Sequence, residues 1–408
     1  MTAIPGYIRP RLALVATISV ISAVVLARSV LAEPTADAVT TAEPLGIGPY
    51  AVASTNLMIA PTFNDIGDDA MEAYLLGEPD AEGNPRFVTD LLEHPEAAWI
   101  SDVDIPDEPS LYGPASGQTL PVVSYIVYPT AAPKTPREYT FPYFDGQYGR
   151  FHHMLAPGEA PAFADPDAKY PLIVFAHGLP SHGVYEVRHV QKLASHGYIV
   201  AVLTYGDRRT SIEGELNRHV GYLRPLMTKA VLDSILESDT LGPRIDRENI
   251  GVSGHSFGGF TGLAVTGGDI EGNPASVHDE RFAASVIAAP WVGGPMDSGD
   301  FFAFGDDNVS LSAIDTPTIC LYGTADDVTR ASYILPAIEK LSGPLYVVEL
   351  IDQPHVFDPP SWDDRDHWEL LFFAAYLKDD PDALRLLSEA QSMNGGNEDV
   401  QHFEYQNN

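Results

Sequence analysis

The amino-acid sequence predicts an α/β protein built on a mostly parallel, doubly wound sheet flanked by helices. Three observations carry this expectation. Short apolar runs of strand length alternate with stretches of helical periodicity. The residues suited to chemistry fall directly after such runs, where open parallel sheets build their sites. The run Ile250-Gly251-Val252-Ser253-Gly254-His255-Ser256-Phe257-Gly258-Gly259-Phe260 reads as a strand, a cramped turn and a helix in that order.

Taken from the amino end, Arg9 and Arg11 precede an apolar run over residues 12–27, and Val30-Leu31-Ala32 offers small residues for cleavage before Glu33. Residues 1–32 are therefore expected to be a secretory signal peptide, the apolar run being short for a bilayer span. Residues 33–119 are expected to hold a first edge strand near 50–59 and, over 60–119, an acidic loop insertion rich in Pro, Gly, Asp and Glu. The catalytic core is expected over 120–386. Its strands are read at 120–128, 171–176, 198–203, 250–254, 282–288, 318–323 and 345–351. Helices are read at 184–196, stopped by Gly197, at 222–241 with Pro225 in its first turn, at 331–341, and at 368–377 as the closing element. Residues 387–408 are expected to be a polar, mobile tail.

A serine alcohol is a weak nucleophile and needs a base, which in turn needs an orienting carboxylate. In Gly254-His255-Ser256-Phe257-Gly258 the turn presents Ser256 at the strand's end, with glycines where a Cβ would collide. The N–H of Phe257, at the start of the following helix, can receive a developing oxyanion. Asp326 and Asp327 follow the strand at 318–323, and His355 follows the strand at 345–351, giving the chain order Ser, Asp, His. The strand at 171–176 ends in His177-Gly178-Leu179-Pro180; Gly178 lets the backbone approach a substrate, and the N–H of Leu179 is read as the second oxyanion donor. His177 is read as a brace for that loop.

These motifs resemble the α/β-hydrolases, closest to bacterial proteins similar to platelet-activating-factor acetylhydrolase and dienelactone hydrolase. The match is carried by Val174-Phe175-Ala176-His177-Gly178, by Leu193-Ala194-Ser195-His196-Gly197-Tyr198-Ile199-Val200-Ala201, by Val231-Leu232-Asp233 and by Gly254-His255-Ser256-Phe257-Gly258-Gly259. The resemblance implies an α/β-hydrolase fold with Ser256 as nucleophile, His355 as general base and Asp326 as its orienting acid. The chain departs from the family pattern in having adjacent aspartates; spacing from Gly323 favours Asp326, with Asp327 the alternative. Ala289-Pro290-Trp291 is similar to the Pro-Trp step of cutinase-like polyester hydrolases, which implies that Trp291 lines an acyl pocket; Gly178 is read separately as a substrate-binding position. Residues 292–311 are read as a short cap.

The expected activity is thus an exported serine hydrolase cleaving carboxylic esters through an acyl-enzyme. Polyesters, phospholipid acetyl groups, lactones and amides are alternative substrates within the same fold, and a silent binding protein is the rival outside catalysis. Without residues 1–32 the chain carries 20 basic residues against 57 acidic ones, a net charge of −37, which disfavours nucleic acid and anionic membranes as partners. No cofactor and no metal are expected: neither Asp306-Asp307 nor His152-His153 has ligand spacing. The one cysteine, Cys320, sits inside an apolar strand and is read as core. After signal cleavage no stable membrane anchor is expected, and the protein is placed in the periplasm or outside the cell.

Overall fold

The computed structural model describes residues 41–42, 45–55, 99–131, 139–142, 148–151, 155, 159–179, 183, 186–207, 218–296, 299–390, 392–393 and 400–406. The described residues all fall within one compact unit, Thr40–Asn408. The expected signal peptide, most of the acidic insertion and the pair His152-His153 lie outside the described residues. Among the described residues no helix is long and apolar enough to cross a membrane.

Ten strands form one sheet: β1 (Ala51–Ser54), β2 (Trp99–Asp104), β3 (Thr119–Thr130), β4 (Tyr170–Ala176), β5 (Ile199–Thr204), β6 (Ile245–His255), β7 (Phe282–Ala288), β8 (Thr318–Gly323), β9 (Leu345–Leu350) and β10 (Val400–Gln406). Their order is β10-β9-β8-β7-β6-β4-β5-β3-β1, with β2 also on β3. From β5 to β9 every pairing is parallel; β10 and the β1 to β3 edge pair antiparallel. The central strands are buried on both faces and read as continuous apolar runs. Alternation splits them between two cores: Leu172, Val174 and Ala176 face one, Ile173 and Phe175 the other.

The first core is covered by α2 (Arg218–Glu237), α3 (Phe257–Val265) and α4 (Ala331–Ile338), the second by α1 (Val187–Ser195), α5 (Pro359–Leu377) and α6 (Pro381–Glu389). In α2 the residues Val220, Leu223, Met227 and Val231 recur at helical spacing and are all buried. This helix starts four residues before its sequence reading, so Pro225 lies in its interior instead of its first turn.

Three further readings are corrected. Within the expected loop insertion, β2 pairs with the first half of β3 and Pro109–Tyr112 adds a helical turn. The strand's own signal is alternation, with Ser101 and Val103 buried while Asp102 and Asp104 are exposed. The expected tail is partly regular: α6 runs to Glu389, Ser392–Met393 pairs with Thr41–Ala42, and β10 closes the outer edge of β9, whose backbone groups would otherwise lack partners. Polar residues suit such an edge. Finally, α5 begins nine residues ahead of its reading, because its first turns are charged yet buried.

Those charges meet α1 in a closed cluster. Arg365 Nη1 lies 3.0 Å from Glu186 Oε2, His189 Nδ1 lies 2.5 Å from Asp366 Oδ1, and Lys192 Nζ lies 3.4 Å from Asp366 Oδ2. His189 Nε2 is 3.0 Å from Glu369 Oε2, an ion-pair separation without hydrogen-bond alignment. Burial opposes a charge on His189, but Glu369 and Asp366 prevail over it and over the nearby Arg365, so its pKa is pushed up to about 9. A histidine whose pKa is raised on folding stabilises fully below its unfolded value of about 6.5 and loses that contribution as pH climbs through the folded value. Thermal unfolding measured from pH 6.5 to 9.5 should therefore show a loss of roughly 1 to 3 kcal/mol, and His189→Gln, less stable throughout, should lack that part of the pH dependence.

Candidate active site

The site begins where β6 ends. Ser256 has φ 56° and ψ −119°, a strained conformation for a residue with a Cβ, and α3 starts at the next residue. The turn is cramped by close backbone approach. A Cβ on Gly254 would stand 2.4 Å from the carbonyl of Gly258, and one on Gly258 would stand 1.9 Å from the carbonyl oxygen of Ala176 on β4. The Ser256 N–H donates to Ala288 O at 2.8 Å, and its own carbonyl accepts from Phe260 and Trp291 at 3.2 and 3.0 Å. Ser256 is 8% exposed.

Strands β8 and β9 end beside this turn and deliver two more residues. His355 Nε2 lies 2.9 Å from Ser256 Oγ, and His355 Nδ1 lies 2.8 Å from Asp326 Oδ2. Asp326 Oδ1 accepts from the backbone N–H groups of Val328 and Thr329, both at 2.8 Å, and Oδ2 accepts from the Thr329 hydroxyl at 2.7 Å. Burial raises the carboxyl's pKa, but the hydrogen bonds from His355 and Thr329 outweigh it and hold Asp326 below the ordinary carboxylate value. Asp327 is exposed, whereas Asp326 is buried. The geometry thus brings Ser256, His355 and Asp326 together in a chain of hydrogen bonds, and leaves Asp327 at the surface.

The loop after β4 lies against Ser256. An ideal Cβ on Gly178 would be 3.3 Å from Ser256 Cβ and from His255 Nδ1, so the segment passes close to the turn. Leu179 is half-buried against the first core. His177 is buried; its Nε2 accepts from the Tyr205 N–H at 3.4 Å, which leaves the proton on Nδ1 to donate to Gly178 O at 2.7 Å. Burial, reinforced by Arg224, lowers its pKa to about 4 and keeps it neutral.

Trp291 is half-buried, with its ring 5.4 Å from Phe257 and 5.7 Å from Phe260. The segment read as a cap consists of a hairpin, Gly293–Met296 with Gly299–Phe302, and a 3₁₀ stretch, Asp306–Ala313. Phe304 is a core residue packed on Phe260 at 5.1 Å, which corrects its reading as part of a cover. Among the described residues no three His, Cys, Asp or Glu side chains gather as a metal ion requires. Cys320 is free and buried.

Four neighbours of the site escaped sequence reasoning, two of them as a pair. The His255 Nε2–H donates to the backbone carbonyl of His355 at 2.7 Å, tying the two loops; burial, with His355 adjacent, lowers its pKa to about 4. Thr329 touches Asp326, the carbonyl of Ala289 at 3.0 Å and His355 Nδ1 at 3.1 Å. Arg224 and Asp207 form a buried ion pair behind the Gly178 loop. Only the last left a signal: Arg224 stands on the apolar stripe of α2, and Asp207 just past the end of β5.

A model of the alpha/beta hydrolase family matches residues 173–403. The platelet-activating factor acetylhydrolase of Canis lupus familiaris is 29% identical over 169 residues, covering 30% of this chain and 36% of that protein. The protein of the same name from Bos taurus is 26% identical over 189 residues, covering 35% and 40%. The uncharacterized peptidase YuxL of Bacillus subtilis (strain 168) is 25% identical over 294 residues, covering 65% and 42%. The chain thus spans less than half the length of these curated relatives.

The turn's packing gives a paired test. Gly258→Ala must push a Cβ into backbone that cannot rotate away, whereas Gly221→Ala, in α2, meets only Phe260 at an ordinary 3.5 Å. In thermal unfolding Gly258→Ala should cost several kcal/mol or prevent folding, while Gly221→Ala should be neutral or stabilising by up to about 1 kcal/mol.

Proposed function

The chain belongs to the alpha/beta hydrolase family, and on that footing we propose that this hydrolase is a serine enzyme acting on carboxylic esters. One observation carries the reading: Ser256 Oγ, His355 Nε2, His355 Nδ1 and Asp326 Oδ2 form a relay with links of 2.9 and 2.8 Å, and the serine stands on a strained turn. In the proposed mechanism His355 Nε2 takes the proton from Ser256 Oγ as the oxygen attacks the substrate carbonyl. Asp326 fixes the ring with its proton on Nδ1 and stabilises the imidazolium that forms. The N–H groups of Phe257 and Leu179 receive the oxyanion of the tetrahedral intermediate. The imidazolium then protonates the departing alcohol, leaving an acyl group on Ser256. Water, deprotonated by His355, attacks that acyl group, and the imidazolium returns the proton to Ser256 Oγ as its bond to the acyl carbon breaks and the acid leaves.

Esters are favoured over amides because two of the relatives are named acetylhydrolases, and an acetyl ester is the simplest substrate this relay can open. Trp291 is proposed to border the acyl side, next to Phe257. An amide or peptide substrate is the second reading, favoured by the peptidase name of the relative that matches 65% of the chain. We further propose export, on the strength of Arg9, Arg11 and the apolar run that follows.

Initial rates on p-nitrophenyl esters of increasing acyl length, set against p-nitroanilides of short peptides, decide between the substrates. Ester turnover in wild type should fall by about 10⁶ in Ser256→Ala and by about 10⁴ in Asp326→Asn, with Asp327→Asn within twofold of wild type. Equal, modest losses in the two aspartate variants would remove the acid assignment.

A further inference from the structure

The Gly178 loop has a second partner. Arg224 is fully buried, and its guanidinium is fixed on every side. Its Nε donates to Asp207 Oδ1 at 2.9 Å and its Nη2 to Asp207 Oδ2, a bidentate pair. Its Cζ sits 4.7 Å from the Tyr205 ring centroid and 5.1 Å from that of Phe257. Two further donors reach successive carbonyls, Nη1 to His177 O at 2.5 Å and Nη2 to Gly178 O at 3.3 Å, with Nη2 also 3.3 Å from His177 Nδ1.

That pattern has a geometric consequence. In a planar trans peptide the C=O and the N–H of the same unit point in opposite directions. The carbonyl of Gly178 and the N–H of Leu179 belong to one such unit. With Gly178 O held by Arg224 and by His177 Nδ1, the Leu179 N–H is turned away from Arg224. An ideal Cβ on Gly178 would stand 3.3 Å from Ser256 Cβ and from His255 Nδ1, so this segment runs beside the serine. Arg224 also supports the ring of Phe257, whose N–H is the other proposed oxyanion donor.

We propose that Arg224, gripped by Asp207, is the positioning residue of the oxyanion site: it aims the Leu179 N–H by holding the carbonyls of His177 and Gly178. The inference rests on Ser256 being the nucleophile. Asp207 has a separate part, since it balances the buried charge and leaves Arg224 only its directional effect. A lysine cannot replace this arginine, because one ammonium cannot span a carboxylate and two carbonyls together.

The test uses the full chain with Arg224→Lys and Arg224→Gln, and Arg281→Gln as a control that breaks the Asp279 and Asp233 pairs away from the site. For each variant kcat and KM are measured on a p-nitrophenyl ester, together with the inhibition constants of a trifluoromethyl ketone, which forms a tetrahedral oxyanion, and of the matching methyl ketone, which does not. Removing an oxyanion donor outright costs about 10²–10³ in kcat, so misaiming one should cost about ten- to a hundredfold. KM should stay within about threefold, and the trifluoromethyl ketone should weaken in step with kcat while the methyl ketone does not. Arg281→Gln should match wild type in all three. If Arg224→Gln does not fold, Arg224→Lys alone decides.

Variants at Arg224 that keep kcat within twofold, or that weaken both ketones equally, overturn the positioning role while the serine mechanism stands. Ester turnover that persists in Ser256→Ala would instead bring down the nucleophile assignment and the inference with it.

Discussion

The close approach of α3 to β4 at Gly258 is the constraint on which the site depends. The helix can begin directly after Ser256 only because its second residue lacks a side chain and lies against the Ala176 carbonyl. That carbonyl belongs to the last residue of β4, one step before the His177-Gly178-Leu179 loop. The same contact therefore sets the height of Ser256 and the starting point of the His177-Gly178-Leu179 loop. Register does the rest: Ala176 stands opposite Gly254 and Ala288 opposite His255, so neighbouring strands end together around the turn. A strained serine can persist there because its backbone is held by Ala288, Phe260 and Trp291 at once.

Around this turn the loops are joined to one another more than to solvent. Gly323 packs against the backbone of Gln353, and Ala325 donates to Gln353 O at 3.1 Å, so the Asp326 and His355 loops are joined at Gln353. Asp352 donates to Thr324 Oγ1 at 2.7 Å. Thr329 links the Asp326 loop to Ala289 on the β7 loop, and His255 links the end of β6 to the backbone of His355. Each bond is modest alone, about 1 kcal/mol net. Their shared effect is to hold the side chains of Ser256, Asp326 and His355 in one fixed arrangement.

The parts of this arrangement that depend on local chain geometry were legible in the sequence. Apolar runs marked the parallel strands, the glycine spacing marked the turn at Ser256, and Asp326 and His355 were visible as polar residues at strand ends. Strand β2 was hidden because its alternation lies inside an acid-rich stretch, and β10 because an edge strand tolerates polar residues on either side. Choosing Asp326 over Asp327 from the sequence relied on spacing alone; burial, which separates them physically, follows from how the loop folds back on His355.

Buried charge was the least legible feature, for a physical reason. A charged side chain in a sequence is read as surface, because an isolated charge in a protein interior is prohibitively unfavourable. Arg224 with Asp207, and Glu186, His189, Lys192, Arg365, Asp366 and Glu369 between α1 and α5, escape that penalty only by meeting partners from distant parts of the chain. No local pattern announces the partner. The two groups also differ in what they hold: the α1–α5 cluster joins two helices, whereas Arg224 directs spare donors onto backbone carbonyls. An arginine that only neutralised Asp207 could be exchanged with it for apolar residues at little loss. One that orients the peptide beside Ser256 cannot, and this gives a buried ion pair a reason to remain in a mostly apolar helix face.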